Sequence, residues 1–267
     1  MSIPIKKVTT GNFTMNYFTF GDGEKTFVIL PGLSIQSVMG SADVIAKAYE
    51  IIAKEFTVYV FDRRNELPQN YSVYDMADDT AEIFNTLGLK DIYLFGASQG
   101  GMIALALTAK HPELVKKLML GSSSAHITDE QFKSIDKWIE FAKKKERVQL
   151  NLEMGRGLYP EALFEKFKGT LADLGETITD SDLQRFIIFA EGTKGFDFSE
   201  KISNINCPVL SLGADDDKVL PNAAKELESL FSGKDNFESF NYNGYGHAAF
   251  DTAPDYKDRL LDFMLKK

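Results

Sequence analysis

Short apolar runs with little polar alternation recur along the chain. They fall at Phe27–Leu30, Phe56–Phe61, Ile92–Phe95, Leu118–Leu120 and Pro208–Leu212, and a further strand is expected at Phe237–Tyr242. Runs of this kind predict strands buried on both faces. Ile3–Thr10 and Phe13–Phe20 read as an opening strand pair, with Gly11-Asn12 as the turn between them. Helical patterns occupy the intervals. One is expected at about Ala42–Lys54, one at Val73–Leu87 stopped by Gly88, and one at Met102–Lys110 that ends before His111-Pro112, where proline forbids extension. A last helix is expected from Pro254, a residue suited to a first turn. Buried strands alternating with helices predict an α/β fold, a mostly parallel central sheet with helices on both faces.

The alternation stops between Ser123 and Ile205. That stretch reads as helical at Asp129–Lys145, Arg147–Met154, Pro160–Leu171 and Asp180–Glu191, with no convincing strand. The organisation expected is therefore a core of residues 1–122 and 206–267, with a helical cap, 123–205, inserted in it. The insertion should cover the carboxyl ends of the strands, where open α/β sheets bind ligands.

Composition narrows the function classes. Acidic residues outnumber basic ones, 39 to 30, for a net charge of −9. This argues against a nucleic-acid surface, which needs a basic stripe. No apolar run reaches the 18 residues of a membrane span, and the first ten residues lack the apolar stretch of a signal peptide. Cys207 is the single cysteine, so no intrachain disulfide is possible. A cytoplasmic enzyme with a small-molecule substrate, and without nucleic-acid or membrane partners, is the simplest expectation. No cofactor or metal is expected: no G-x-G-x-x-G follows a strand, and no histidine pair has ligand spacing.

Residues 95–101 read Phe-Gly-Ala-Ser-Gln-Gly-Gly, placing Gly96-x-Ser98-x-Gly100 between a predicted strand and a predicted helix. A nucleophile lifted on so sharp a turn needs small residues two positions to either side. Ser98 is the candidate nucleophile. A serine hydroxyl needs a base to attack at neutral pH. Of the three histidines, His111 sits at a helix end, where an exposed C-cap is expected, and His126 reads as a loop residue near the cap entrance. His247 follows the last strand in Asn243-Gly244-Tyr245-Gly246-His247, a loop able to carry an imidazole over the sheet, and is the candidate base. The acid that orients it should follow the strand at 208–212, where Asp215, Asp216 and Asp217 stand together. Asp217 is the candidate acid, because its D-x-x-x-P spacing to Pro221 is that of the acid turn in many such enzymes; Asp216, favoured by counting from Gly213, is the alternative. The oxyanion hole needs two backbone N–H donors. Gln99, next to the nucleophile, and Leu33, in the Leu30-Pro31-Gly32-Leu33-Ser34 loop, are the candidates.

Together these residues resemble the α/β-hydrolase superfamily, and within it the cap-bearing, carboxylesterase-like serine hydrolases. The resemblance runs through Leu30-Pro31-Gly32-Leu33, Phe61-Asp62-Arg63-Arg64, the Gly96–Gly101 turn, the acid turn at 213–221 and Gly246-His247. The order Ser, Asp, His is that of the superfamily. Pro31-Gly32 departs from the common His-Gly pair of the first oxyanion loop, which a backbone donor tolerates. Serine at the nucleophile disfavours the dehalogenase and epoxide hydrolase chemistries, which use aspartate there. The resemblance implies hydrolysis of a small, hydrophobic carboxylic ester or related acyl compound through an acyl-enzyme. The same scaffold also hosts C–C bond hydrolases, acyltransferases and slow-turnover ligand sensors. For the C–C reaction an arginine holding a dicarbonyl acid would discriminate; Arg63, Arg64, Arg156 and Arg185 are available but read as surface or salt-bridging residues. Trp138, Phe141, Phe164, Phe167, Phe186 and Phe189 are the aromatics able to line a cap pocket.

Overall fold

The structure, a computed structural model, describes residues 2–266; Met1 and Lys267, the outermost residues of the expected core, lie outside them. Eight strands form one sheet: β1 (Lys6–Thr9), β2 (Thr14–Phe20), β3 (Lys25–Leu30), β4 (Phe56–Arg64), β5 (Ile92–Ala97), β6 (Val115–Gly121), β7 (Val209–Ala214) and β8 (Phe237–Tyr242). Their order is β1-β2-β4-β3-β5-β6-β7-β8. The β1–β2 and β2–β4 pairs are antiparallel, and every pairing from β4 across to β8 is parallel. The chain therefore belongs to the α/β class with a mostly parallel sheet, as its pattern predicts.

Helices α1 (Ala42–Ala48), α2 (Glu50–Ala53), α3 (Val73–Thr86) and α4 (Gln99–Lys110) link the early strands. Four more, α5 (Asp129–Lys143), α6 (Arg147–Leu158), α7 (Glu161–Glu176) and α8 (Asp180–Glu191), are inserted between β6 and β7. Helices α9 (Ala223–Leu230), α10 (Ala249–Thr252) and α11 (Tyr256–Leu265) complete the chain. Helices α3, α5 and α8 each begin with a capping box, from Ser72 with Asp75, Thr128 with Gln131 and Thr179 with Asp182. Each box satisfies backbone N–H groups that the first helical turn cannot.

Side chains alternate across the pleat, so each central strand feeds two cores. Val28 and Leu30 of β3, with Leu94 of β5, pack toward α3, α4 and the inserted helices. Phe27 and Ile29, with Phe95, pack toward α2 and α11. Burial on both faces explains why these strands read as continuous apolar runs.

Several expected boundaries shift. The helix expected over 42–54 breaks at Tyr49 (φ −105°, ψ 17°), whose buried ring packs beside Phe27 and Phe95. Helix α4 starts at Gln99 and not at Met102: Gly100 and Gly101 read as helix breakers but are held by tertiary packing. Pro254 lies outside the first turn of α11, because Asp255 is the N-cap. Ala253, preceding the proline, is extended and ends α10 instead. Helix α9 was not anticipated.

Phe95 stacks on Phe27 and meets Tyr256 edge-on, joining β5 to its neighbour and to α11. Phe95→Ala should cost about 3–5 kcal/mol of unfolding free energy. Urea denaturation measures this, and a loss below about 1 kcal/mol would contradict the packing described.

Candidate active site

The turn after β5 is fixed by steric exclusion. Ser98 has φ 51° and ψ −121°, a left-handed conformation that an L-residue adopts at a cost. A Cβ on Gly96 would lie 2.3 Å from the Gly100 carbonyl oxygen. One on Gly100 would lie 2.0 Å from the Leu30 oxygen and 2.6 Å from that of Pro31. The two flanking glycines are thus required by backbone-to-backbone contact. The Ser98 N–H donates to the Gly121 carbonyl at 2.7 Å, and the Ser123 hydroxyl donates to the Ser98 carbonyl at 2.8 Å. Helix α4 begins directly after Ser98, so its positive end adjoins the serine.

The loop after β3 approaches from the other side. A Cβ on Gly32 would sit 3.1 Å from the Ser98 Cβ. Leu33, Ser98, Gln99 and Met102 form one wall of a narrow cavity of about 20 Å³. Ile135 and Trp138 of α5, Thr193 after α8, and Val219 and Leu220 after β7 complete it. None of these lining residues carries a charge.

His247 and Asp217 form a buried pair. Nδ1 lies 2.7 Å from the Asp217 Oδ2, and both residues are at most 9 % exposed. The other Asp217 oxygen accepts N–H bonds from Val219 and Leu220, each at 2.8 Å. Burial alone would raise the Asp217 pKa. The His247 ring and these N–H donors outweigh it and hold the carboxyl below its ordinary value. An ionised carboxylate only accepts, so Nδ1 carries the hydrogen, and in the neutral ring Nε2 is then the nitrogen with the lone pair. Val219 and Leu220 also line the cavity beside Ser98, so the loop that holds Asp217 adjoins the serine's cavity. Asp216 turns away, accepting the Gly246 N–H at 3.2 Å. It shapes the histidine loop, in which Gly246 has φ +64°. The Ala248 N–H donates to the Leu158 carbonyl at 3.0 Å, tying that loop to α6.

The other histidines stand apart from the cavity. His111 is a half-buried α4 C-cap, 3.5 Å from Glu113, rather than an exposed one. His126 bridges to Asp197 and lies 3.8 Å from Glu226. Of the six aromatics, Trp138 lines the cavity. Phe164, Phe186 and Phe189 are buried in packing, while Phe141 and Phe167 are half-buried.

The arginines divide differently from expectation. Arg64 pairs with Asp79, Arg156 with Glu153, and Arg185 with Asp62, as salt-bridging residues. Arg63 is neither on the surface nor in a side-chain ion pair. It is 6 % exposed, and its Nη2 donates to the Pro31 carbonyl at 2.8 Å and to the Gln99 side-chain oxygen at 3.0 Å. Burial pushes its pKa down to about 10, with the neighbouring Asp62 opposing the shift. The Gln99 amide in turn donates to the Phe189 carbonyl and to the Thr193 hydroxyl, both at 2.7 Å. No local pattern announces this network, since its members come from β4, α4 and the end of α8.

The family model for the alpha/beta hydrolase fold matches residues 25–254, and the chain belongs to that family. It is 25 % identical over 233 residues to a putative carbamate hydrolase (RutD) of Serratia proteamaculans (strain 568), covering 80 % of this chain and 83 % of the relative. It is 27 % identical over 153 residues to the serine hydrolase BPHL of Mus musculus. That match covers 52 % of this chain and about half, 51 %, of the mouse protein. Among solved structures, an alpha/beta hydrolase enzyme from a Medee basin deep-sea metagenome library (MGS-M2) superposes with a TM-score of 0.86 at 20 % identity, covering 98 % of each chain. No helix among the described residues is long and apolar enough to cross a membrane.

A carboxyl held below its ordinary pKa stabilises the fold only while it is ionised. The Asp217 contribution is present above the unfolded value, about 3.9, and is lost as pH falls through the lower folded value. Asp217→Asn should therefore lower Tm at pH 6, with the gap to wild type closing as pH drops below about 4. Thermal melts across that range check this, and a gap independent of pH would contradict it.

Proposed function

We propose that this hydrolase is a serine hydrolase of compact, apolar carboxylic esters or related acyl compounds. Ser98 is the nucleophile, His247 the general base and then acid, and Asp217 the residue that orients the imidazole. The observation that carries this reading is the left-handed Ser98 in a small uncharged cavity whose wall residues also hold the acid of a buried His–Asp pair.

With Nδ1 committed to Asp217, the His247 Nε2 accepts the Ser98 proton as the oxygen attacks the acyl carbon. Negative charge then develops on the carbonyl oxygen. The Leu33 and Gln99 N–H groups receive it, aided by the α4 N-terminus. The imidazolium returns its proton to the leaving group, and water repeats the cycle on the acyl-enzyme. Residues 123–205 act as the cap, with Ile135 and Trp138 as its contribution to the cavity wall. The cavity is narrow and its lining uncharged and largely apolar, which suits a compact acyl group. The similarity to proteins named putative carbamate hydrolases extends the acyl class to carbamates. C–C hydrolysis of a dicarbonyl acid finds no support, because none of the four arginines lines the cavity.

Wild type should hydrolyse p-nitrophenyl acetate and butyrate faster than the decanoate and be labelled by a fluorophosphonate. Ser98→Ala should lose labelling and at least about 10³-fold of kcat. Unchanged turnover in that variant would sink the assignment.

A further inference from the structure

We propose that Arg63 is a positioning residue that sets the geometry of both oxyanion donors. It acts through the Pro31 carbonyl and the Gln99 side chain. This inference rests on the reading of Ser98 as nucleophile, with Leu33 and Gln99 as donors.

One nitrogen makes both contacts. The two hydrogens of Nη2 reach the Pro31 oxygen at 2.8 Å and the Gln99 oxygen at 3.0 Å. The guanidinium is planar and rigid, so the angle between its two acceptors is fixed. The Pro31 carbonyl belongs to the peptide just before the Gly32–Leu33 peptide that bears one donor. Gly32 has no side chain to anchor this stretch of the loop, and the Arg63 tether on the Pro31 carbonyl fixes the position from which the Gly32–Leu33 peptide starts, with Gly32 packed against Ser98. On the other arm, the Gln99 side chain is held from three directions: by Arg63, by the Phe189 carbonyl and by Thr193. That side chain belongs to the residue whose N–H is the second donor.

The placement of Arg63 is otherwise hard to explain by stability. A buried cation is costly unless its charge and hydrogens are matched. The side chain of Asp62 is already engaged by Arg185 and by the Ser37 hydroxyl. The Arg63 Nε is buried without a partner. The residue does not line the cavity, so it acts on the reaction through the groups it holds.

The test uses Arg63→Lys and Arg63→Met beside wild type and Ser98→Ala. Lysine keeps the charge but loses the planar fork, and it carries the test if the methionine variant does not fold. With p-nitrophenyl acetate, kcat should fall about 10-fold in the lysine variant and about 100-fold in the methionine variant, with KM within about 3-fold of wild type. The affinity of a short alkyl trifluoromethyl ketone, whose adduct carries an oxyanion, should weaken by the same factor as kcat/KM. Wild-type kcat and ketone affinity in folded variants, even with a lowered Tm, would overturn the proposal. So would a rise in KM at constant kcat. If Ser98→Ala retained turnover, the underlying assignment would fail whatever the Arg63 variants showed.

Discussion

The site depends on one contact, the approach of the turn after β5 to the end of β3 with no side chain between them. At Gly100 there is room for hydrogen alone, with the Leu30 oxygen 2.0 Å from where a Cβ would stand. That closeness puts Ser98 against Gly32 and brings the loop of Leu33 beside the turn that carries Gln99. It also lets the helix axis of α4 begin at the serine. The parallel β3–β5 pairing, Leu30 beside Gly96, holds the two loops in register. The strain in Ser98 is sustained by the Gly121 carbonyl and the Ser123 hydroxyl, which grip its N–H and C=O.

Around this contact, burial and hydrogen bonding divide the work. Apolar side chains from both faces of the sheet supply rigidity. Two polar side chains buried nearby are fully matched. Asp217 has three donors, and Gln99 uses its oxygen and its amide together. Matched groups of this kind keep a fixed orientation in a weakly polarisable setting, the condition under which oriented dipoles stabilise developing charge.

Features with local causes were legible in the sequence. Gly96-x-Ser98-x-Gly100 is a steric pattern within five residues, and the buried strands declare themselves by apolar runs. Asp217 and its alternative Asp216 stand one residue apart, so their spacing separates them weakly, while the loop sends Asp216 to Gly246 and Asp217 to His247. The first turn of α4 was hidden because Gly100 and Gly101 disfavour helix in isolation, while here close packing decides. Helix α9 has apolar residues at 223, 224, 227 and 230, yet eight residues give too short a period to stand out. Arg63 was the least legible. Its acceptors lie 32 and 36 residues away, and a charged residue in sequence reads as surface.

The inserted helices are fastened to the sheet by bonds that end on the site's own loops. The Phe189 carbonyl accepts from the Gln99 amide, the Leu158 carbonyl from the Ala248 N–H, and the Pro221 carbonyl from the Gln131 amide. Two of the three use insertion backbone, which substitution leaves in place, while their partners lie in the most constrained turns of the core. Ile135 and Trp138 meet the cavity without such ties. The insertion is thus divided between an anchoring layer, hard to transplant onto another sheet, and a lining layer free to drift. Divergence among proteins of this architecture can proceed by repainting the lining while the fastenings stay.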